Sequence, residues 1–484
     1  MSMSTSMPSR SLNPTPHSLP ELTTTASVHH YLESLVLSPS ISPSRNITPL
    51  LTPRAIRRIT LGSTNYTYRL FLDAEAPYTD GATTAILKYA SSYTAAEPRV
   101  SFSPERQVFE VRAMARVPWG EILGQASSSG GDSKDPQGPE VKIPRVYFED
   151  PARRVIIMED GTPRGVPVAP GDRDSECGQL GDGETGENGN DHIWEEQSHS
   201  SRIFLEEVPP SPEKYATASL LGKTLGKFLA RMHNWGRGGE EDANVSANAT
   251  PWVRESFGGN TYARDLTIQE AIGDFWTSVR CCTADGDEIP ILGTREDEVR
   301  GRLEKMRRAI LTDTETFVMG DLRLGNVLLT FSPSPSGSST LNLQTLSIID
   351  WEFAMAAPAF IDIGNFIGEV FLIHYFESND EVYTILLEAF IAEYEAHTPA
   401  EVLDIEMILS YAGAHIVQAL PRRINSPRSR AKKGNAGGCL RHALDFIMNT
   451  NTSRGTMTAS LYGSLQELLG IMRGHRPGRD LSDY

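Results

Sequence analysis

Two stretches decide the fold: FVMGDLRLGNVLLTF, residues 317–331, and LSIIDWEFA, residues 346–354. Asp321 and Asn326 stand five residues apart in a short polar turn that runs directly into an apolar, strand-like segment. A second apolar segment delivers Asp350, with Glu352 two residues further on. The Ser/Pro-rich loop SPSPSGSST joins the two, so one strand–loop–strand unit presents a carboxylate, an amide oxygen and a second carboxylate at one edge. Phosphoryl transfer needs such a set: a carboxylate to orient and deprotonate an attacking hydroxyl, and oxygen ligands to hold Mg²⁺ on nucleotide phosphates. Asp321 is accordingly assigned as catalytic base. Asn326 and Asp350 are assigned as metal ligands, with Glu352 a candidate third. An Asp-x4-Asn spacing alone is common, because both residues favour turns. Its union with a strand ending in Ile-Asp-Trp-Glu makes it specific.

Working outward, the sequence on the C-terminal side is helical. IDIGNFIGEVFLIHYF, EVYTILLEAFIAEYEAH and EVLDIEMILSYAGAHIVQAL carry apolar residues at helical spacing, and two more helices are expected after residue 437. On the N-terminal side, YATASLLGKTLGKFLARMHNWG reads as a long helix stopping at Gly236, with further helices around 266–280 and 295–311. Earlier still the pattern changes to strands. IRRITLGSTNYTYRLFL reads as a hairpin, TTAILKYA as a third strand ending near Lys88, and KIPRVYFEDPARRVIIMEDG as two strands around a polar turn. The helical run PERQVFEVRAMARV lies between them. The layout is α+β: residues 1–50 a tail and short helix, 51–163 a strand-rich N-terminal lobe, 164–212 an acidic insertion, and 213–475 a helical C-terminal lobe. The insertion is rich in Gly, Asp and Glu and nearly devoid of apolar residues, a composition expected to stay disordered.

Composition narrows the function. The 484 residues carry a formal charge of −17, with 39% hydrophobic residues. A chain whose main partner were nucleic acid would show a basic face, and no apolar run approaches the roughly 20 residues that span a bilayer. Cys177, Cys281, Cys282 and Cys439 form neither a disulfide framework nor a zinc spacing. The N-terminus is Ser/Pro-rich and has no signal-peptide h-region. The expectation is a soluble cytoplasmic protein without nucleic-acid or membrane partners.

MGDLRLGNVLL together with IIDWEFAMAAPAFIDIGNF resembles the catalytic loop and metal-binding segment of the aminoglycoside phosphotransferase and choline kinase superfamily. Within it the chain looks closest to fungal methylthioribose kinase-like enzymes, the group that includes 4-hydroxytryptamine kinases. LGKFLARMHNWGR and GAHIV resemble helices of the same group. The resemblance spans roughly Ile56 to Ile447 and implies a bilobal protein-kinase-like fold, with a small antiparallel-sheet N-lobe and a larger, mainly helical C-lobe. It further implies ATP and Mg²⁺ as cofactors and a small-molecule hydroxyl acceptor as partner.

By the same resemblance, Gly62, Ser63, Thr64 and Asn65 offer backbone N–H groups to phosphates, although an ordinary hairpin turn reads equally well there. Lys88 binds the α/β-phosphates and pairs with Glu110, or alternatively Glu105. Met158, Glu159 and Asp160 form the hinge that reads adenine through backbone groups. Arg323 either touches the γ-phosphate or is a surface arginine. Asp362 braces the catalytic loop or caps its helix, and His233 reads as a core histidine. Met319 departs from the His that commonly precedes Gly-Asp in the family, which bears on loop rigidity. The basic run 421–434 either brings Arg422 or Arg423 to an anionic acceptor or is a solvated loop.

The rival readings are a catalytically silent nucleotide-binding scaffold and a protein kinase. A scaffold has no need of Lys88, Asp321, Asn326 and Asp350 together. A protein kinase lacks here its Ala-Pro-Glu segment and GxGxxG loop, and only about a dozen residues separate Asp350 from the next long helix. Acceptor classes left open are a thio-sugar, an aminoglycoside-like sugar, choline or ethanolamine, and a hydroxylated indole amine.

Overall fold

The computed structural model describes residues 21–37, 47–60, 62, 64–73, 78, 81–124, 138–162, 200–238, 250–282, 290–333, 341–377, 380–424 and 436–448. Residues 163–199, which hold most of the acidic insertion, most of the basic run after residue 424, and the end of the chain fall outside them; the last part of the insertion, expected to be disordered, instead carries the helix Ser201–Glu207. Among the described residues no helix is long and apolar enough to cross a membrane. The chain divides into two compact units: the described parts of Met1–Pro104 with Tyr147–Met158, and those of Glu105–Val146 with Glu159–Tyr484.

The first unit is built on a five-stranded sheet. Its spatial order is Ala55–Ile59, Tyr66–Phe71, Thr84–Tyr89, Val155–Glu159 and Val146–Asp150. The expected hairpin forms with Ala55 opposite Phe71 and Ile59 opposite Thr67, and the third strand adds antiparallel with Lys88 opposite Thr67. Alternation along Tyr66–Phe71 sends Tyr66, Tyr68 and Leu70 inward, the period of two that a half-buried strand requires. The segment before residue 50 contributes more than a tail. Leu22, Val28, Tyr31 and Leu32 are buried in the same core as Tyr68, Leu70 and Leu87. The helix Thr25–Val36 carrying them is capped by Thr24, which accepts from Ser27 N–H, and is pinned by Tyr31 Oη donating to Asp150 Oδ2 at 2.9 Å.

The second unit is mainly helical. The long helix Pro212–Arg237 starts at an Ser211 N-cap with Pro212 in the first turn and ends at Gly238. Gly238 has φ +113°, the left-handed conformation glycine adopts without penalty. The stop therefore lies two residues beyond the Gly236 read from sequence. Gly236 is instead a contact glycine: a Cβ there would strike Thr316 Oγ1 and Phe317 N. Gly222 and Gly226 do the same against the helix Val382–Ala396, where a Cβ would run into the carbonyl oxygens of Leu386 and Phe390. These two glycines let the helix backbones pass at van der Waals distance.

Val327–Pro333 and Leu341–Ile348 pair antiparallel, as the sequence suggested. The short strand Glu140–Lys142 extends them in parallel into a three-stranded sheet. Thr316–Val318 and Met355–Ala357 form a further antiparallel pair that brackets the turn at Asp321 and the segment at Asp350. Behind that segment, Trp351 is fully buried, its ring stacked 6.0 Å from Phe317 at 4° and 4.9 Å from Trp119.

Gly226→Ala is expected to lower the melting temperature by several degrees. The helix-propensity gain is about 1 kcal/mol, whereas overpacking against a backbone carbonyl costs up to about 3 kcal/mol. Gly301, helical with nothing within 4 Å of an added Cβ, is the control: Gly301→Ala is expected to hold or raise the melting temperature. A Gly226→Ala protein melting at or above wild type would refute the close approach.

Candidate active site

The turn carrying Asp321 is shaped by its backbone. Gly320 has φ +82°, and a Cβ there would meet the Phe353 carbonyl oxygen at 2.5 Å. Only glycine suits both demands. The N–H groups of Met319 and Gly320 each donate to the Asp362 carboxylate at 2.8 Å. Asp362 is fully buried in the first turn of the helix Phe360–Glu377, where the helix dipole favours a negative charge. Asn365, one turn along, donates to Leu322 O at 3.1 Å, and Ser201 Oγ donates to Leu324 O at 2.7 Å. The bracing role weighed for Asp362 is the one the geometry displays. Met319 takes part through its backbone, so the turn is held without an imidazole at that position.

An imidazole reaches Asp362 from another element. His233 Nε2 lies 3.2 Å from Asp362 Oδ2 and Nδ1 lies 2.8 Å from Tyr394 Oη. Burial holds the His233 pKa below its ordinary value, against the opposing pull of the Asp362 hydrogen bond and charge. A neutral ring donating from Nε2–H to Asp362 and accepting from Tyr394 at Nδ1 satisfies both contacts. The core-histidine reading stands.

Asn326 Nδ2 donates to Asp321 O at 3.0 Å and to Asp321 Oδ2 at 3.1 Å. With its nitrogen so engaged, the amide oxygen is the atom Asn326 has to offer a cation. Ile349 N–H donates to Asn326 O at 3.0 Å, which ties the turn to the segment bearing Asp350. Asp350 itself has φ +70°, a left-handed conformation uncommon outside glycine and seen at sites whose surroundings enforce it. Asp321 is pushed up to about 7 by burial, with the charges of Asp350 and Glu270 acting in the same direction and Arg323 and Asn326 opposing.

Arg323 Nε sits 3.1 Å from Asp321 Oδ2. Arg323 is thus the partner of the proposed base, and that carboxylate raises its own pKa.

Among the described residues no group of three or more His, Cys, Asp or Glu is arranged as a metal cage. Asn326 and Asp350 offer two hard oxygen donors, which fits Mg²⁺, an ion that completes its shell with phosphate oxygens and water rather than protein alone. Glu352, the candidate third ligand, is 1% exposed, and its Oε2 lies 2.9 Å from Arg106 Nε in an ion pair whose side chains are both wholly buried. One of its two carboxylate oxygens is thus engaged by an internal guanidinium.

The remaining expected residues fall as follows. Lys88 is buried at the end of its strand, at 7% exposure. In the other unit Glu110 is buried in the helix Arg106–Arg116, and Glu105, its N-cap, is exposed. Gly62 is exposed, Thr64 half-buried and Asn65 buried; Ser63 lies outside the described residues. Met158 is buried in its strand. Glu159 Oε2 lies 3.2 Å from Arg145 Nε, and Asp160 Oδ1 accepts from Thr162 N–H and Oγ1, so both side chains are engaged locally. Arg423 pairs with Glu369, which also lies 3.7 Å from His415. Against its burial, these two partners hold Glu369 well below the usual carboxylate range. Arg422 is exposed, 3.9 Å from Glu270. Arg106, Asn365 and Ser201 escaped the sequence reading, because nothing local marks a helix arginine, asparagine or serine as a brace for a distant loop.

His233 generates a pH prediction. Its folded pKa lies below its unfolded value near 6.5, so its contribution to stability is present above pH 6.5 and lost as pH falls below it. Between pH 6.5 and 5, His233→Gln is expected to show a shallower loss of unfolding free energy than wild type. The difference approaches one proton, roughly 1.4 kcal/mol per pH unit. Parallel curves from urea titrations at several pH values would contradict a neutral buried imidazole.

No family profile matches the chain. By sequence it is 25% identical over 368 residues to the 4-hydroxytryptamine kinase of Psilocybe cyanescens, covering 76% of this chain and 81% of that one. It is 26% identical over 365 residues to the 4-hydroxytryptamine kinase of Psilocybe cubensis, covering 75% and 79%. Among solved structures, a microcompartment-associated aminopropanol kinase aligns over 87% of this chain and 95% of its own, at 16% identity and a TM-score of 0.36. The sequence relatives support an aminoglycoside phosphotransferase/choline kinase-like superfamily for this chain.

Proposed function

We propose that this protein transfers the γ-phosphate of ATP to a hydroxyl group of a small-molecule acceptor. The observation that carries the reading is the joining of Asp321, Asn326 and Asp350 into one braced unit, through the Asn326 side chain on Asp321 and the Ile349 N–H on Asn326 O. Asn326 Oδ1 and the Asp350 carboxylate would hold Mg²⁺. When bound, that ion neutralises charge on the nucleotide phosphates and orients the γ-phosphoryl group.

Asp321 accepts the proton of the acceptor hydroxyl as its oxygen forms the new bond to phosphorus. The bond from the γ-phosphorus to the β–γ bridging oxygen breaks, ADP leaves, and the proton passes from Asp321 to water. A carboxylate near pH 7 in its pKa is well matched to that exchange at neutral pH. Arg323 keeps Asp321 in place and offers positive charge beside the developing phosphate charge. Lys88 is assigned to the nucleotide phosphates, Glu110 to a buried cation, Gly62–Asn65 to phosphate-facing backbone, and Met158–Asp160 to adenine recognition. Among the described residues Cys281, Cys282 and Cys439 are free thiols, which suits the reducing, ATP-rich cytoplasm.

The Psilocybe relatives, named as 4-hydroxytryptamine kinases, put a hydroxylated indole amine first among acceptors to try. The pairing of Arg423 with Glu369 lowers the priority of an anionic acceptor.

The test is ADP release from Mg·ATP by purified protein across thio-sugars, aminoglycoside-like sugars, choline or ethanolamine, and hydroxylated indole amines. Asp321→Asn is expected to lower acceptor-dependent turnover by about 10²-fold or more while retaining Mg·ATP binding; Asp350→Ala is expected to lose both. Full turnover by Asp321→Asn would remove Asp321 as the base. Absence of nucleotide binding by the wild-type protein would favour a scaffold.

A further inference from the structure

The ion pair between Arg106 and Glu352 joins positions 246 residues apart, with both side chains wholly excluded from solvent. Such a pair is a poor device for stability alone. Desolvating each ion costs several kcal/mol, and apolar residues of similar volume commonly replace the pair without loss. Arg106 also sits in the first turn of its helix, Arg106–Arg116, where the dipole disfavours a cation. A strained, costly arrangement kept at both ends calls for a geometric reason.

That reason lies two residues before Glu352. Asp350 is held at φ +70°, a strained conformation for a non-glycine residue that persists only where neighbours over-determine it. On its N-terminal side the backbone is fixed by Ile349 N–H on Asn326 O. On its C-terminal side Trp351 is buried, its Nε1–H donating to Ile348 O at 3.0 Å, and its own carbonyl accepts from Ala354 N–H. Glu352 then closes the turn by reaching into the protein to Arg106. The next residue, Phe353, is the one whose carbonyl packs on Gly320. The segment is clamped on each side of Asp350, and Arg106 is the clamp furthest away in sequence.

We propose that Arg106 is a positioning residue for the metal site: through its buried pair with Glu352 it fixes the left-handed turn at Asp350 and thereby sets the affinity for the divalent cation that accompanies ATP. The inference rests on the assignment of Asp350 as a metal ligand made above. Arg106 and the buried Glu110 are four residues apart on one helix, hence on one face. The placement of this helix is therefore coupled to the shape of the metal turn.

The test uses the full chain and Mn²⁺ as probe. The variant Arg106→Lys leaves Glu352 in place, keeps the charge and loses the Nε–H that meets the carboxylate, and is expected to fold. Arg106→Gln, which keeps an N–H donor and removes the charge, is the second variant should the first not fold. Electron paramagnetic resonance titration in the presence of ATP is expected to show Mn²⁺ affinity falling by about 10–100-fold, the range seen when partners of metal ligands are removed. Binding of ATP in EDTA is expected to be unchanged, a separation that a general loss of structure would not produce. Wild-type Mn²⁺ affinity in either folded variant would overturn the positioning role and leave the kinase reading standing. Failure of the wild-type protein itself to bind Mn²⁺ with ATP would overturn both.

Discussion

A buried carboxylate meeting two adjacent backbone N–H groups holds the turn at Asp321, and the rest of the candidate site follows from it. Asp362 accepts from Met319 and Gly320 at 2.8 Å each, with His233 on the same oxygen as Met319. Hydrogen bonds to a charged partner contribute roughly 1.5–3 kcal/mol each, enough to hold a turn that asks for a left-handed residue. Side-chain identity at position 319 then matters little to the turn, and a methionine suffices there.

The turn so held is one of two loops that fix each other. The other, at Asp350, adopts the strained conformation, and the points of contact run both ways: Asn326 O to Ile349 N–H, and Gly320 against the Phe353 carbonyl. Aromatic packing of Trp351 on Phe317 sets the second loop against the strand that leads into the first. Asp321 and Asp350, two carboxylates that would repel in an open site, are thereby kept close enough to feel each other. Burial is the chief cause of the raised Asp321 pKa, and the Asp350 charge acts in the same direction.

The meeting of the segments that carry Asp321, Asn326 and Asp350 was legible in the sequence because their spacing is local, within one strand–loop–strand. The long helices were legible through their apolar period, and the hairpin Ala55–Phe71 through its turn residues. The buried partner of Glu352 went unseen because that partner, Arg106, lies 246 residues away in sequence. The pairing of Thr316–Val318 with Met355–Ala357 went unseen, since three-residue strands carry no period. Gly236 looked like a helix stop because a glycine near a helix end usually is one; only the packed structure shows that its missing Cβ makes room for Thr316 and Phe317. The residues before position 50 read as peripheral by composition, yet Leu22, Val28 and Leu32 complete the core of the first unit. In each case what escaped is a side chain's destination, which tertiary packing decides.

The most direct measurement follows the phosphorus atom. Wild-type protein is incubated with Mg²⁺, γ-labelled ATP and a hydroxylated indole amine, then with the other acceptor classes in turn, and products are separated and weighed by mass spectrometry. The expected result is label in a phosphate monoester of one acceptor, with none formed by Asp321→Asn. Label recovered solely as inorganic phosphate, or a labelled ester formed equally by Asp321→Asn, would contradict phosphoryl transfer through this turn.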